Sequence, residues 1–222
     1  MTIKLYKFDG SPVVRPALML ADILKLELES VNVNLRNGDH LKPEYVKKNP
    51  NHTIPMLEDD GFIVADSHAI LTYLVDKYGQ DQQQLYPKEL NLRTTVNQRL
   101  FFEASTIANA RTAALSGVYK NNATGPDEEG LKKVHDLYKI LEAYLSKTKF
   151  LACDHLTIAD LSCVASISAL DVAVPIDTKY EKLSAWFNTL KQEQWYKNGN
   201  EPGLNIFTQY FKSMVAKNSG QA

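Results

Sequence analysis

Three short stretches carry side chains that can do chemistry. In Phe8-Asp-Gly-Ser-Pro-Val-Val-Arg-Pro16, Ser11 stands where an extended segment gives way to a helical one. Three roles are open to its hydroxyl. A hydrolytic nucleophile needs a neighbouring base and usually a Gly-x-Ser-x-Gly turn, and here the second glycine is absent. A plain helix cap fits a serine ahead of Pro12, with Pro16 tolerated in the first turn. The third role joins the cap to an anion: a hydroxyl at the positive end of a helix can donate to a bound thiolate. A free thiol titrates near ~8.5, and lowering that by two units takes about 2.7 kcal/mol of preferential stabilisation. A hydrogen bond to a charged group contributes roughly 1.5–3 kcal/mol and a helix end roughly 0.3–1 kcal/mol, so one serine and one helix end suffice without a base.

The second stretch is Asn49-Pro-Asn-His-Thr-Ile-Pro-Met-Leu-Glu-Asp59. Pro55 cannot donate to a strand ladder. A cis Ile54–Pro55 bond at a sheet edge would turn the Ile54 amide and carbonyl towards a peptide-like ligand, and an ordinary edge strand beside a loop is the plainer reading. His52 suits a carboxylate or a turn cap. In the third stretch, Val64-Ala-Asp-Ser-His-Ala-Ile-Leu71, Asp66 and Ser67 open a helix. Both are good caps. Free amides and the Ser67 hydroxyl also suit a carboxylate, and Asp66 suits an ammonium, which together describe an α-amino acid.

These stretches need elements to hold them. Ile3–Phe8 reads as a strand, Val13 to about Glu27 as a helix and Ser30–Leu35 as a second, parallel strand. A short helical turn follows Pro43. Thr53–Leu57 and Phe62–Val64 flank Asp60-Gly61, a hairpin signal, so this pair is antiparallel. A helix follows over Ser67–Tyr78. The second half has no convincing strand. It reads as five helices: Asn91 to about Tyr119, Asp127–Ser146, Thr157–Val174, Tyr180–Gln192 and Gly203–Ala216. In Leu156-Thr-Ile-Ala-Asp-Leu161, Thr157 and Asp160 form a capping box and Leu156 and Leu161 a hydrophobic staple, worth about 1 kcal/mol to the helix and nothing to chemistry.

Composition narrows the function. The 222 residues carry 25 basic and 26 acidic side chains, a net charge of −1. No basic excess exists to hold nucleic acid or an anionic membrane. The N-terminal segment is too charged for a signal peptide, and the most apolar run, Leu161–Ile176, contains Asp171 and Pro175. Cys153 and Cys163 lie ten positions apart with no CxxC, as buried thiols of a reduced, cytoplasmic protein would. The spacing of His40, His52 and His68 suits no metal.

Taken in order, Ser11-Pro-Val-Val-Arg15, Asn49-Pro-x-His-Thr-Ile-Pro55 and Asp66-Ser-His-Ala-Ile70 resemble the cytosolic glutathione transferases, most closely the insect epsilon class with its delta relatives. Leu156-Thr-Ile-Ala-Asp-Leu-Ser162 is similar to that family's capping motif, and the resemblance covers essentially the whole chain. It implies an α/β thioredoxin-like domain over 1–80, a linker over 81–89 and an all-helical domain over 90–222. Redox proteins of the first fold carry CxxC where this chain has Ser11–Val14, which excludes dithiol exchange there.

The resemblance also implies roles. Ser11 holds the glutathione thiolate. The Thr53-Ile54-Pro55 segment pairs with the cysteinyl unit. Asp66 and Ser67, with His68 beside them, hold the γ-glutamyl end, and His40 and His52 approach the glycine end. Asp66 stands where delta members commonly carry the longer glutamate. The electrophile pocket is implied at Phe8, Pro12 and Leu35, at Ile107, Arg111, Leu115, Val118 and Tyr119, and at Phe207, Tyr210 and Phe211. The helical spacing of Ile107, Arg111, Leu115 and Val118 equally describes core, with Arg111 snorkelling or facing substrate. The implied activity is conjugation of glutathione, the co-substrate, to hydrophobic electrophiles by a metal-free homodimer. Peroxidase and dehydrochlorinase chemistry lie within the same family. A non-catalytic carrier of hydrophobic ligands and a dedicated glutathione-dependent isomerase are the alternatives.

Overall fold

A computed structural model describes residues 2–220. Its sheet comprises β1 (Ile3–Lys7), β2 (Leu28–Asn32), β3 (Met56–Asp59) and β4 (Phe62–Ala65), in the spatial order β2-β1-β3-β4. β1 and β2 are parallel, with Ile3 opposite Leu28, and are joined by α1 (Arg15–Leu24). β1/β3 and β3/β4 are antiparallel, the second pair closing at Asp60-Gly61 with both residues at positive φ. α2 (Pro43–Lys48) and α3 (Ser67–Tyr78) complete the first half. The thioredoxin-like order β-α-β then β-β-α is therefore as the sequence indicates.

Boundaries differ in three places. β2 occupies Leu28–Asn32 rather than Ser30–Leu35, because α1 ends early: Lys25 turns left-handed, with φ of 54°, and the Leu26 amide reaches back to Ala21. Val33 keeps the buried position that alternation assigns it, and its amide still bonds to Lys7. β3 starts at Met56, beyond the cis Ile54–Pro55 bond, since proline has no N–H for the ladder. Ser11 is not the cap of α1. That helix starts at Arg15 with Val14 as its N-cap and no capping side chain. A residue before proline is pushed out of the helical region, so Ser11 ahead of Pro12 ends a turn instead. Its amide bonds to the Phe8 carbonyl, and its own carbonyl accepts from Val14.

The helical half comprises α4 (Leu90–Phe102), α5 (Ala108–Lys120), α6 (Glu128–Leu145), α7 (Ile158–Ala173), α8 (Glu181–Gln192), α9 (Gln194–Gly199) and α10 (Glu201–Asn218). The single long helix expected over Asn91–Tyr119 is α4 and α5 joined by one π-helical turn, Glu103–Ile107. α9 is additional; six residues are too few for a periodic signal. Among the described residues no helix is long and apolar enough to cross a membrane.

The halves share one core. Leu5, Leu20, Leu57, Ile70 and Leu74 belong to the same buried cluster as Ile158, Leu161, Trp195 and Tyr196. Arg15 joins them with a charge. Its side chain is fully buried, donating to Ser168 Oγ (3.2 Å), Asn200 Oδ1 (2.8 Å) and the Ala165 carbonyl (3.1 Å). Gly203 permits the closest backbone approach: a Cβ there would lie 2.1 Å from the Asp9 carbonyl oxygen.

Asp160 is the polar centre of the helical half. Oδ2 accepts from the Thr157 amide (3.0 Å) and hydroxyl (2.9 Å), and Oδ1 from the Leu151 amide (2.9 Å) and Trp186 Nε1 (3.0 Å). Asp160→Ala strands three buried N–H groups and should cost about 3–5 kcal/mol, seen in calorimetry as a Tm roughly 10 °C lower. Asp160→Asn keeps one acceptor oxygen and should lose less.

Candidate functional site

Two clefts lie either side of the turn that carries Ser11. The first, about 420 Å³, is lined by Val13, Thr53, Ile54, Pro55, Asp66, Ser67 and His68 from the first half and by Glu103, Ala104, Ala108 and Arg111 from the second. The second, about 720 Å³ and mostly apolar, is lined by Phe8, Asp9, Gly10, Val33, Leu35, Ile206, Phe207 and Tyr210. Ser11, half-buried, sits in the chain between Gly10, on the second wall, and Val13, on the first. A third hollow, near Lys147, Phe150 and Trp186, includes none of the residues singled out in the sequence.

The polar cleft is organised by Asp66. This residue is the N-cap of α3 and holds φ of 87°, a conformation uncommon outside glycine that costs of the order of 1–3 kcal/mol and clusters at functional positions. Oδ1 accepts from the amides of His68 (2.9 Å) and Ala69 (3.1 Å). Oδ2 has no partner among these bonds, so one carboxylate both caps the helix and offers an acceptor to a cation. The nearby His68 and the two amides hold its pKa below the usual carboxylate range. Ser67 is buried at the first turn of the same helix.

His68 ties this corner to the helical half. Nε2 lies 2.9 Å from Glu103 Oε2, and Nδ1 lies 3.4 Å from Asp66 Oδ1. Burial works against an imidazolium, but the hydrogen bonds to Asp66 and Glu103 outweigh it and raise the His68 pKa to about 9. Glu103 is buried, which opposes its ionisation. His68, the Arg111 charge (3.4 Å) and the Ser166 hydroxyl (2.5 Å) prevail and hold it ionised. The π-helical turn begins at Glu103, consistent with such turns re-aiming a side chain at a site.

The remaining predicted residues are distributed as follows. Thr53 presents its carbonyl to the Tyr45 hydroxyl (2.7 Å) and Asn49 Nδ2 (2.9 Å), which fixes the segment leading to Ile54 and Pro55. His40 and His52 lie outside the cleft lining with their rings 6.1 Å apart, His52 at positive φ. Phe8, Leu35, Phe207 and Tyr210 meet at the apolar cavity. Pro12 lies in the Ser11 turn, half-buried. Tyr119 stacks on Tyr210 at 5.7 Å, and burial pushes its phenol up to about 12. Leu115, Val118 and Phe211 pack with Phe207 in a buried cluster behind the cavity, while Ile107 is in the main core. Arg111 faces the polar cleft, bonded to Ser166. Sequence reasoning missed Glu103 and Ser166. One signal existed: Glu103 stands four residues before Ile107 on the stripe that continues through Arg111 and Leu115, so an acid lay on an apolar helix face.

Comparison with known proteins gives a consistent picture. Residues 1–76 match the family model of the glutathione S-transferase N-terminal domain and residues 107–193 that of the C-terminal domain. Glutathione S-transferase 1 of Manduca sexta is 44% identical over 209 residues, covering 93% of this chain and 95% of that protein. The structure of an epsilon-class glutathione S-transferase from the housefly, Musca domestica, superposes with a TM-score of 0.91 at 40% identity, over 96% of this chain and 98% of the other. A glutathione transferase homologue from Drosophila mojavensis with bound glutathione superposes with a TM-score of 0.89 at 38% identity, over 96% and 97%.

The His68 pairings make stability pH-dependent with a definite sign. The folded pKa lies above the ordinary value of 6.5, so the stabilisation is complete below pH 6.5 and is lost as pH rises through about 9. The Tm of the protein should fall by several degrees across that window. His68→Gln should flatten the fall, read as the difference between the two melting curves at each pH.

Proposed function

Because the chain belongs to the glutathione S-transferase family, we propose that it conjugates glutathione to apolar electrophiles, with Ser11 holding the sulfur as a thiolate. One observation supports the reading: the short turn that carries Ser11 contributes Gly10 to the wall of an apolar cavity and Val13 to the wall of a polar cleft suited to an amino-acid terminus. The γ-glutamyl ammonium pairs with the free oxygen of Asp66. Its carboxylate meets the Ser67 hydroxyl and amide beside the positive His68 ring. The Ile54 backbone pairs with the cysteinyl unit, which delivers the sulfur to the Ser11 turn. His40 and His52 lie beyond Thr53, on the glycine side.

The chemistry then needs little more. Ser11 Oγ–H donates to the sulfur anion. The sulfur attacks the electrophile lodged between Phe8, Leu35 and Phe207, the new S–C bond forms, and the leaving group departs with its electron pair. Holding both reactants in adjoining clefts supplies much of the rate. A carrier without catalysis would have no use for the polar cleft, which disfavours that alternative. The same reading makes the working molecule a cytoplasmic homodimer, and the exposed Leu90 and Phe101 on α4 support a second copy covering that face.

The test is Ser11→Ala, with chlorodinitrobenzene as electrophile. Loss of one charge-assisted hydrogen bond of roughly 1.5–3 kcal/mol should lower kcat/KM by about 10–100-fold. The Michaelis constant for glutathione should change little. Ultraviolet titration of the bound thiol should show its pKa rising in the variant. A wild-type bound thiol that ionises no more readily than free glutathione would overturn the mechanism.

A further inference from the structure

The apolar cavity carries a cation that conjugation of neutral electrophiles does not use. Two charged residues line it, Asp9 and Arg36. Asp9 is ion-paired with Lys7. Arg36 has no ion pair and no side-chain hydrogen bond among the described residues. The loop bearing it is well built: Asn34 Oδ1 accepts from the Arg36 and Asn37 amides (3.1 Å each), and the Asn34 amide donates to Asp39 Oδ2 (2.9 Å). The guanidinium centre lies 4.5 Å from the centroid of the Tyr210 ring, which itself stacks on Tyr119.

A cation–π contact uses the charge of the guanidinium, and with no side-chain hydrogen bond among the described residues the Arg36 N–H donors are open to another partner. Those donors match a carboxylate in a two-pronged geometry. A lone cation beside apolar walls also attracts anions to the cavity. We propose, on the basis of the conjugation reading above, that Arg36 is a specificity-determining residue that selects apolar electrophiles carrying a carboxylate. For an α,β-unsaturated ketone of this kind, the thiolate sulfur bonds to the β-carbon and the displaced electron pair forms an enolate. The enolate takes one proton from water at the α-carbon, and the carboxylate stays ionised against Arg36 throughout. Arg36 is exposed, and its contact with Tyr210, which stacks on Tyr119, places the guanidinium at the cavity wall.

A matched pair isolates the charge: ethacrynic acid, an unsaturated ketone bearing a carboxylate, and its neutral methyl ester. The quantity read is the ratio of kcat/KM for the acid to that for the ester. Arg36→Gln should lower this ratio by about tenfold and Arg36→Lys should restore much of it. Added sodium chloride should lower the wild-type ratio as well. Thermal melts of both variants report that the fold is intact. An equal ratio in wild type and Arg36→Gln would overturn the role of Arg36 while leaving conjugation in place. A wild type that turns over neither compound would instead sink the conjugation reading. Equilibrium affinities for acid and ester, compared in the same variants, then decide whether Arg36 selects the carboxylate.

Discussion

A positive charge with no negative partner among the described residues fixes the geometry of this molecule. The Arg15 guanidinium is removed from water, and burial lowers its pKa to about 10, so it remains charged at neutral pH. It is held by a hydroxyl, an amide oxygen and a main-chain carbonyl, all from α7 and the head of α10. Removing partners from a buried charge costs several kcal/mol, so the guanidinium tolerates few arrangements of the two halves. Arg15 is also the first residue of α1. What fixes it therefore fixes the Ser11 turn immediately before it and the strand before that. The close approach of Gly203 to Asp9 presses α10 against the same corner and sets the spacing of the apolar cavity.

On the other side of Ser11 the seam is made differently. Asp66, His68, Glu103 and Arg111 alternate in sign across the boundary and cancel in sum. Each is hydrogen-bonded, so none is an isolated charge. The arrangement leaves one Asp66 oxygen and the positive His68 face towards the cleft, which are complementary to the ammonium and carboxylate of an amino acid. One seam thus aligns the halves and the other shapes the cleft, and the Ser11 turn stands between them.

Much of this was readable in the residues. The β-α-β and β-β-α order followed from alternation, Asp60-Gly61 and the spacing of the apolar stripes. Asp66, Ser67 and the Thr157–Asp160 box announced themselves because short polar side chains before an apolar run have one main structural use. Exact starts were harder. Ser11 reads as a cap among other roles because serine before proline is ambiguous in one dimension, and only the placement of Arg15 decides where α1 begins. β2 was offset because Lys25 adopts a left-handed conformation that lysine rarely signals. Arg111 read as a cation on the wall of the apolar pocket. Its true neighbours, Glu103 and Ser166, come from a π turn and from a helix 55 residues away; the acid on the apolar stripe signals the first, and no local pattern encodes the second.

The π turn has a further consequence, for changes of chain length. A π turn is an α-helix holding one residue more than its hydrogen-bonding pattern accommodates. Deleting a residue between Glu103 and Ile107 would let the helix return to uniform winding with the phase of α4 relative to α5 nearly unchanged, and would remove the turn that aims Glu103. Sequence drift by substitution can pass through this segment at its exposed positions, and loss of its extra residue would spare the helices on either side while withdrawing Glu103 from His68 and Arg111. The segment is a place where one extra residue re-aims a side chain without rephasing the helices that flank it.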